Sequence, residues 1–203
     1  SIDNRFIQLL NKIFCAAWLN ILWFLCCIPV FTIGASTTAL YYVSFKLVRN
    51  EEGNITKQFF TAFRSNFKKA NLIWLPLLGL GILFGIDGYV LYHIRLENVF
   101  WTLCSAVLIC AGVVYLIVLL NVFPLFARFE NTIPATFKNA LVMGLRYLFC
   151  SILMAVVYFV IYYVIINIFT PFVVFGQGLG ALICSWLILP ILERLENNKD
   201  DVL

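Results

Sequence analysis

The residues best suited to bind a ligand are the hydroxyl side chains that follow Pro29. Proline removes a backbone N–H and Gly34 tolerates most backbone dihedrals, so one apolar helix is predicted to end here and another to begin. Inside a membrane, the free N–H groups and hydroxyls of such a helix start could bind an anion or a sugar. They could equally cap the helix and contact a neighbour, and both interpretations stay open. The candidate hinge or solute-binding residues are Thr32, Gly34, Ser36, Thr37 and Thr38.

Arginine and glutamate recur at the ends of three predicted helical hairpins. The segments Pro124–Asn131 and Pro190–Asn197 share one pattern, and Arg49 to Glu51 repeat its Arg-x-Glu spacing. The helix dipole and the cytoplasmic excess of positive charge both favour arginine at these ends. The same side chains could also lock the hairpins together or contact a cytoplasmic partner. The candidates are Arg49, Glu51, Arg128, Glu130, Arg194 and Glu196.

A few polar residues lie within the predicted membrane spans. Asp87 is the only acidic one. A charge at the centre of a bilayer costs about 2.5 to 3.5 kcal/mol even on insertion scales, so Asp87 is a candidate coupling residue unless it reaches the outer interface or Arg95. Asn20, Asn121 and Asn167 could form hydrogen bonds between helices or line a central cavity.

Glycines beside Asp87 and in the last span predict helix packing. Small residues spaced three or four apart let membrane helices approach closely. Gly81, Gly85 and Gly88 have this spacing, as do Gly176 and Gly180. We therefore expect these residues to lie against neighbouring helices.

Motifs typical of enzymes are missing from the sequence. It contains no phosphate-binding loop, no H-E-x-x-H and no serine elbow. His93 is the only histidine, and the seven cysteines all lie in apolar segments without zinc-site spacing. We therefore expect no catalytic residue, no metal site and no cofactor.

Composition places these residues in a membrane protein. The chain is 63% hydrophobic and only 12% charged, against about 25% charged in soluble domains. Residues 147–192 contain no charged side chain, and as one helix they would be about 69 Å long, more than twice the hydrocarbon thickness. A turn is therefore expected at Thr170–Pro171. Basic residues are spread along the membrane flanks, which favours lipid headgroups and excludes a nucleic-acid stripe.

The expected fold is all-α: a single integral membrane domain over 1–203, with about six transmembrane segments. Its three units each combine an amphipathic elbow with a hairpin, related as parallel repeats. The hairpins are predicted at about 13–48, 71–127 and 147–192, with surface elbows at 54–69 and 132–146.

Charge counting favours cytoplasmic termini. With six spans and the amino terminus inside, all of the 14 lysines and arginines except Arg95 lie on the cytoplasmic side. A five-span alternative, in which 34–48 does not cross, would leave Arg5, Lys12 and Arg95 outside. It also requires residues 13–45 to cross once through the break at Pro29, so six segments are preferred, the second one tilted or incomplete.

Two blocks resemble the YesL-like family of bacterial integral membrane proteins. The first runs from Cys27 to Gly53 and includes Lys46 and Arg49, and the second runs from Phe59 to Trp74. Together they cover about a third of the chain. The family is a domain-of-unknown-function family that is often encoded beside carbohydrate ABC importers, so the resemblance implies the bacterial cytoplasmic membrane and a setting in carbohydrate uptake.

Two functions are compatible with these features. We expect a non-enzymatic accessory or regulatory membrane protein whose partners are the lipid bilayer and subunits of a carbohydrate ABC importer. The alternative is a small solute transporter or channel that uses the hinge from Thr32 to Thr38, because this stretch combines a helix break with binding groups at membrane depth.

Overall fold

The computed structural model describes residues 2–51, 53–93, 99–129, 131–168 and 170–197, and all regular structure in these ranges is helical. This confirms the predicted all-α class. The helices are α1 (Ile2–Cys27), α2 (Ile33–Arg49), α3 (Ile55–His93), α4 (Val99–Arg128), α5 (Ile133–Arg146), α6 (Leu148–Asn167) and α7 (Val173–Asn197). Short 3₁₀ turns at Val30–Thr32 and Thr170–Phe172 separate α1 from α2 and α6 from α7.

Five of these helices, α1, α3, α4, α6 and α7, are long and apolar enough to cross a bilayer, so the chain is a polytopic membrane protein. The sequence predicted about six segments, and the missing one is α2. Its 17 residues extend about 25 Å, less than the roughly 30 Å hydrocarbon layer. The second predicted segment therefore cannot span the layer without thinning it.

Helix α2 is the centre of the bundle. It contacts α1, α3, α4 and α7, and 12 of its 17 residues are buried. Leu40, Val43 and Leu47 are completely inaccessible, and they join residues of the surrounding helices in one apolar core. Most of the surface of α2 thus faces protein, which explains how a helix with three hydroxyl side chains in its first turns can be accommodated.

Helix α3 corrects the predicted surface elbow at 54–69. That segment is not a separate helix, because residues 55 to 93 form one continuous helix of 39 residues, about 58 Å long. Its first half lies along α2, and Phe59 and Ala62 are buried there. The chain offers no glycine or proline between the predicted elbow and span, and the interior Pro76 comes a turn and a half later. The second elbow, predicted at 132–146, is the separate helix α5, and its position at the membrane surface stays a prediction.

Two helix pairs meet with almost no space between their backbones. A Cβ added to Gly34 of α2 would lie 2.5 Å from the carbonyl oxygen of Ala70 in α3. A Cβ on Gly178 of α7 would overlap the carbonyl oxygen of Ala16 in α1. Because the lipid tails are as apolar as the helices, such close van der Waals contact is a main source of helix association in a bilayer.

The outer parts of α3 and α4 extend beyond this core as an arm, defined here as residues 79–93 and 99–116. None of these residues is buried. Gly81 contacts Tyr115 of α4, but a Cβ added to Gly85 or Gly88 would meet no atom within 4 Å. The packing surface predicted for these glycines is therefore occupied at Gly81 and empty at the other two. Gly176 and Gly180 do lie against α6, as predicted.

We predict that Gly34→Ala lowers the free energy of unfolding by about 1 to 3 kcal/mol, because the added methyl group must displace the α3 backbone. The matched control is Gly85→Ala, whose methyl group enters open space and which should be neutral or stabilising by up to about 1 kcal/mol through helix propensity. Thermal unfolding in detergent, followed by tryptophan fluorescence, measures both. Equal stability of the two variants would contradict the close contact.

Candidate functional site

The hinge begins where α1 ends. Pro29 has an extended backbone, and the 3₁₀ turn Val30–Thr32 leads directly into α2. The Thr32 hydroxyl is within hydrogen-bond distance of the carbonyl oxygens of Cys26 and Pro29, the latter at 2.6 Å. The Cys26 carbonyl lies in the last turn of α1, where no further helical N–H is available to it, and the Pro29 carbonyl also accepts the backbone N–H of Thr32. Thr32 therefore closes the end of α1.

The start of α2 is capped by a residue of another helix. The backbone N–H of Ala35 donates to Asn71 Oδ1 of α3 at 3.2 Å, and Asn71 is buried. The Thr38 hydroxyl donates to the carbonyl of Gly34 at 2.9 Å, within its own helix. Ser36 is fully buried beside the Cys27 thiol and makes no hydrogen bond of ordinary geometry with the described residues. The predicted anion-binding helix start is thus largely engaged within the protein.

Thr37 is the hinge residue that faces open space. Its hydroxyl accepts a hydrogen bond from the indole N–H of Trp23 at 3.1 Å. It also lines a central cavity of about 410 Å³ between α1, α2, α3, α4, α6 and α7. No other hydroxyl residue of the hinge lines this space. The structure therefore separates Thr37 from Thr32, Ser36 and Thr38.

Aromatic rings and aliphatic side chains form the walls of the central cavity, and most of its few polar atoms are hydrogen-bonded within the protein. The hydroxyls of Tyr41 and Tyr158 lie 2.8 Å apart, and the Tyr162 hydroxyl donates to Gln177 Oε1 at 2.9 Å. Its volume is within the roughly 300 to 1,000 Å³ of small-molecule sites. Such a lining suits an apolar molecule or a ring that stacks on aromatic faces more than a free ion. The aromatic residues of the lining are Trp23, Tyr41, Trp74, Phe123, Tyr158 and Tyr162.

The intramembrane asparagines lie outside the cavity lining. Asn121 donates to Ser151 Oγ of α6 at 2.9 Å and to a carbonyl of its own helix, so it ties α4 to α6. Asn20 accepts from the backbone N–H of Gly178 and donates to the carbonyl of Val173, so it ties α1 to α7. Asn167 is exposed, and among the described residues its side chain bonds only to the carbonyl of Tyr163, one turn earlier.

Asp87 lies on the arm, fully outside the bundle. Its side chain is exposed and forms no ion pair with another described residue. Arg95, which the sequence suggested as its partner, lies outside the described residues. Asp87 is also absent from the lining of the central cavity. The candidate coupling residue and the candidate binding hinge are therefore on different parts of the molecule.

Two ion pairs connect the ends of α2, α4 and α7. Arg49 donates from Nε and one terminal nitrogen to Glu193 Oε1, at 2.9 and 2.6 Å. Arg128 donates to Glu196 Oε2 at 2.6 Å. Helix α7 thus supplies both carboxylates, which bind arginines from the other two predicted units. Arg194 and Glu51 form no ion pair among the described residues, and Glu130 lies outside them.

Sequence reasoning missed two residues of these contacts, Glu193 and Asn71. Glu193 precedes Arg194 in the repeated pattern and lies three residues before Glu196, on the same face of a helix. This spacing could have identified Glu193 as a second carboxylate for the arginine network. Asn71 had no such signal, because it caps a helix 36 positions away in the sequence. Among the described residues, no three His, Cys, Asp or Glu side chains could hold a metal ion together.

Comparison with known proteins gives one match. The family model described as "Protein of unknown function, DUF624" matches residues 16–88. No curated protein and no solved structure matches the chain. The matched segment contains the hinge, the Gly34 contact with Ala70 and the Asn71 cap, so it corresponds to the second half of α1, all of α2 and the greater part of α3.

We predict that Thr37→Val destabilises the protein by about 1 to 3 kcal/mol, because it leaves the partly buried N–H of Trp23 without an acceptor. Thr38→Val is the matched control, since that hydroxyl forms its hydrogen bond within its own helix and its loss should change stability by less than about 1 kcal/mol. Thermal unfolding and the Trp23 emission maximum, read in a background that lacks the other tryptophans, test this difference. A larger effect at Thr38 would contradict it.

Proposed function

We propose that the protein is a non-enzymatic accessory membrane protein that associates with a carbohydrate ABC importer in the bacterial cytoplasmic membrane, with both termini cytoplasmic. This topology requires α2 to cross as the sixth segment, in a bilayer that is thinner around it. The setting comes from the resemblance of Cys27–Gly53 and Phe59–Trp74 to the YesL-like family. Both blocks lie within the segment that the DUF624 model matches. The long apolar helices support the membrane part of this proposal.

The observation that carries the accessory role is the unpacked arm. Charged residues within transmembrane helices usually face protein, because exposure to lipid is costly. The Asp87 side chain is exposed and has no ion-pair partner among the described residues, and the empty space at Gly85 and Gly88 lies on the same turn of the helix. A transmembrane helix of an importer subunit that carries a basic or N–H donor group at the same depth would satisfy both features. We assign this helix of the importer as the partner that packs against the arm.

The hinge supports the same role. The N–H of Ala35 is bonded to Asn71, and the hydroxyls of Thr32 and Thr38 are bonded to backbone carbonyls of the chain. A discontinuous transporter helix would instead leave such groups available to substrate. Arg49 and Arg128, which were predicted to contact a partner, already form ion pairs within the protein. The arm is therefore the surface where we expect the partner to bind.

Purification in a mild detergent, with the neighbouring importer expressed at native levels, tests the association. We expect importer subunits to co-purify with the wild type and their yield to fall about tenfold or more with Asp87→Leu or with Gly85→Phe. The matched control, Ile86→Phe, adds the same ring about a quarter-turn away on the exposed helix and should retain most of the yield. The proposal is contradicted if the wild type retains no importer subunit. The assignment to this surface is contradicted if the yield of importer subunits falls equally in all three variants.

The central cavity favours a second candidate, a small solute transporter. It is large enough for a small molecule and reaches Thr37 of the hinge. Its aromatic walls could stack against a sugar ring, and the Thr37 hydroxyl and Gln177 could bind hydroxyl groups of the solute.

Solute flux in proteoliposomes separates this candidate from the accessory role. If the cavity is a transport site, Thr37→Val should lower flux at least about fivefold, because it removes a hydroxyl from the cavity wall, whereas Thr38→Val should leave flux unchanged. Each variant is assayed at a temperature at which it remains folded. Undetectable flux of a panel of sugars and ions through the wild type would exclude the transporter.

A further inference from the structure

A second, more polar pocket lies away from the central cavity, between α2, the first half of α3 and the end of α4. Its volume is about 320 Å³. The residues from α3 recur at positions 61, 65, 66 and 69, which is the spacing of one helix face. Phe126 and Ala62 are buried beneath it. We call it the basic pocket, and its polar lining residues are Tyr42, Thr61, Ser65, Asn66, Lys69 and Arg128.

The charge of this pocket is positive. Lys69 and Arg128 line it, and none of its described lining residues is Asp or Glu. Glu196 binds one terminal nitrogen of Arg128, which offsets part of that charge. Lys69 has no ion-pair partner among the described residues. Arg64 and Lys68, on the same turns of α3, add to the positive field at the rim.

Several donors of the basic pocket are free of protein acceptors. The hydroxyls of Thr61 and Tyr42 make no hydrogen bond with the described residues, and neither does the Lys69 ammonium. Arg128 keeps its remaining N–H groups, since Glu196 takes one. Ser65 and Asn66 are used differently, because they bond to the carbonyl of Ala62 and hold the shape of the wall. An ammonium, a guanidinium and two hydroxyls therefore converge on a space that no carboxylate of the described residues lines.

We propose that the basic pocket binds a phosphate group. A phosphate presents three or more acceptor oxygens with negative charge, and arginine and lysine are the residues that usually recognise it. Charge counting places Lys69 and Arg128 on the cytoplasmic side of the membrane, where anionic headgroups attract basic residues. The group is carried by a phospholipid headgroup or by a soluble phosphate compound. This site is independent of the accessory and transport roles.

Native mass spectrometry of the detergent-purified protein provides the test. The protein is equilibrated with equimolar phosphatidylglycerol and phosphatidylcholine, and the retained lipids are counted. We expect the wild type to retain phosphatidylglycerol preferentially, and Lys69→Gln to weaken this retention by about tenfold, since it removes a charge-assisted contact. Lys57→Gln is the matched control, because it removes an equal charge from the same helix outside the pocket, and it should retain the lipid as the wild type does.

Competition with inorganic phosphate shows whether the bound phosphate group belongs to a phospholipid or to a soluble compound. Displacement of the lipid by phosphate in the wild type, but not in Lys69→Gln, assigns a soluble phosphate as ligand. Retention of the lipid in excess phosphate assigns a headgroup, held also by its acyl chains. The proposal is overturned if Lys69→Gln retains phosphatidylglycerol as well as the wild type, or if Lys57→Gln loses it equally. Because Lys69 is exposed, both variants should fold, and their thermal unfolding temperatures verify this.

Discussion

The contact between the backbones of α2 and α3 at Gly34 and Ala70 is the constraint on which the other contacts depend. No side chain fits between the two helices there. This close approach lets Asn71 reach the start of α2 and lets Trp74 donate its indole N–H to the carbonyl of Val30 at 2.9 Å. The broken backbone of the hinge is thereby satisfied by a neighbouring helix. In a bilayer, where no water can do this, an unsatisfied backbone group would cost several kcal/mol.

Polar residues of the bundle have two distinct uses. Inside, asparagines and hydroxyls tie one helix to another, as Asn20 and Asn121 do. At the end of the bundle where α2, α4 and α7 finish, paired charges connect the three helices. The basic pocket lies beside this end and shares Arg128 with it. One arginine can therefore stabilise the fold through Glu196 and still contribute charge to a binding site.

The general architecture was predictable from hydropathy and local signals, whereas contacts between distant segments were not. Proline and the uncharged run located the turns near Pro29 and Thr170, because breakers act locally. The division of 54–92 into an elbow and a span was wrong, since basic residues change the polarity of a helix without ending it. The hinge hydroxyls were recognised as one group, yet only their packing shows that Thr37 alone among them borders the cavity. Asn71 caps a distant helix, and its role depends entirely on tertiary structure.

The uninterrupted course of α3 gives the molecule a mechanical property. The residues that hold the hinge and the exposed Asp87 of the arm belong to the same helix, with about 24 Å between Asn71 and Asp87. A helix is stiff along its axis, but Pro76 removes one backbone hydrogen bond between these positions and lets α3 bend there, so part of a displacement imposed near Asp87 can reach Asn71 and Trp74. Those two side chains hold the start of α2, next to the wall of the central cavity. Helix α3 can therefore act as a lever, with its fulcrum at the contact between Ala70 and Gly34.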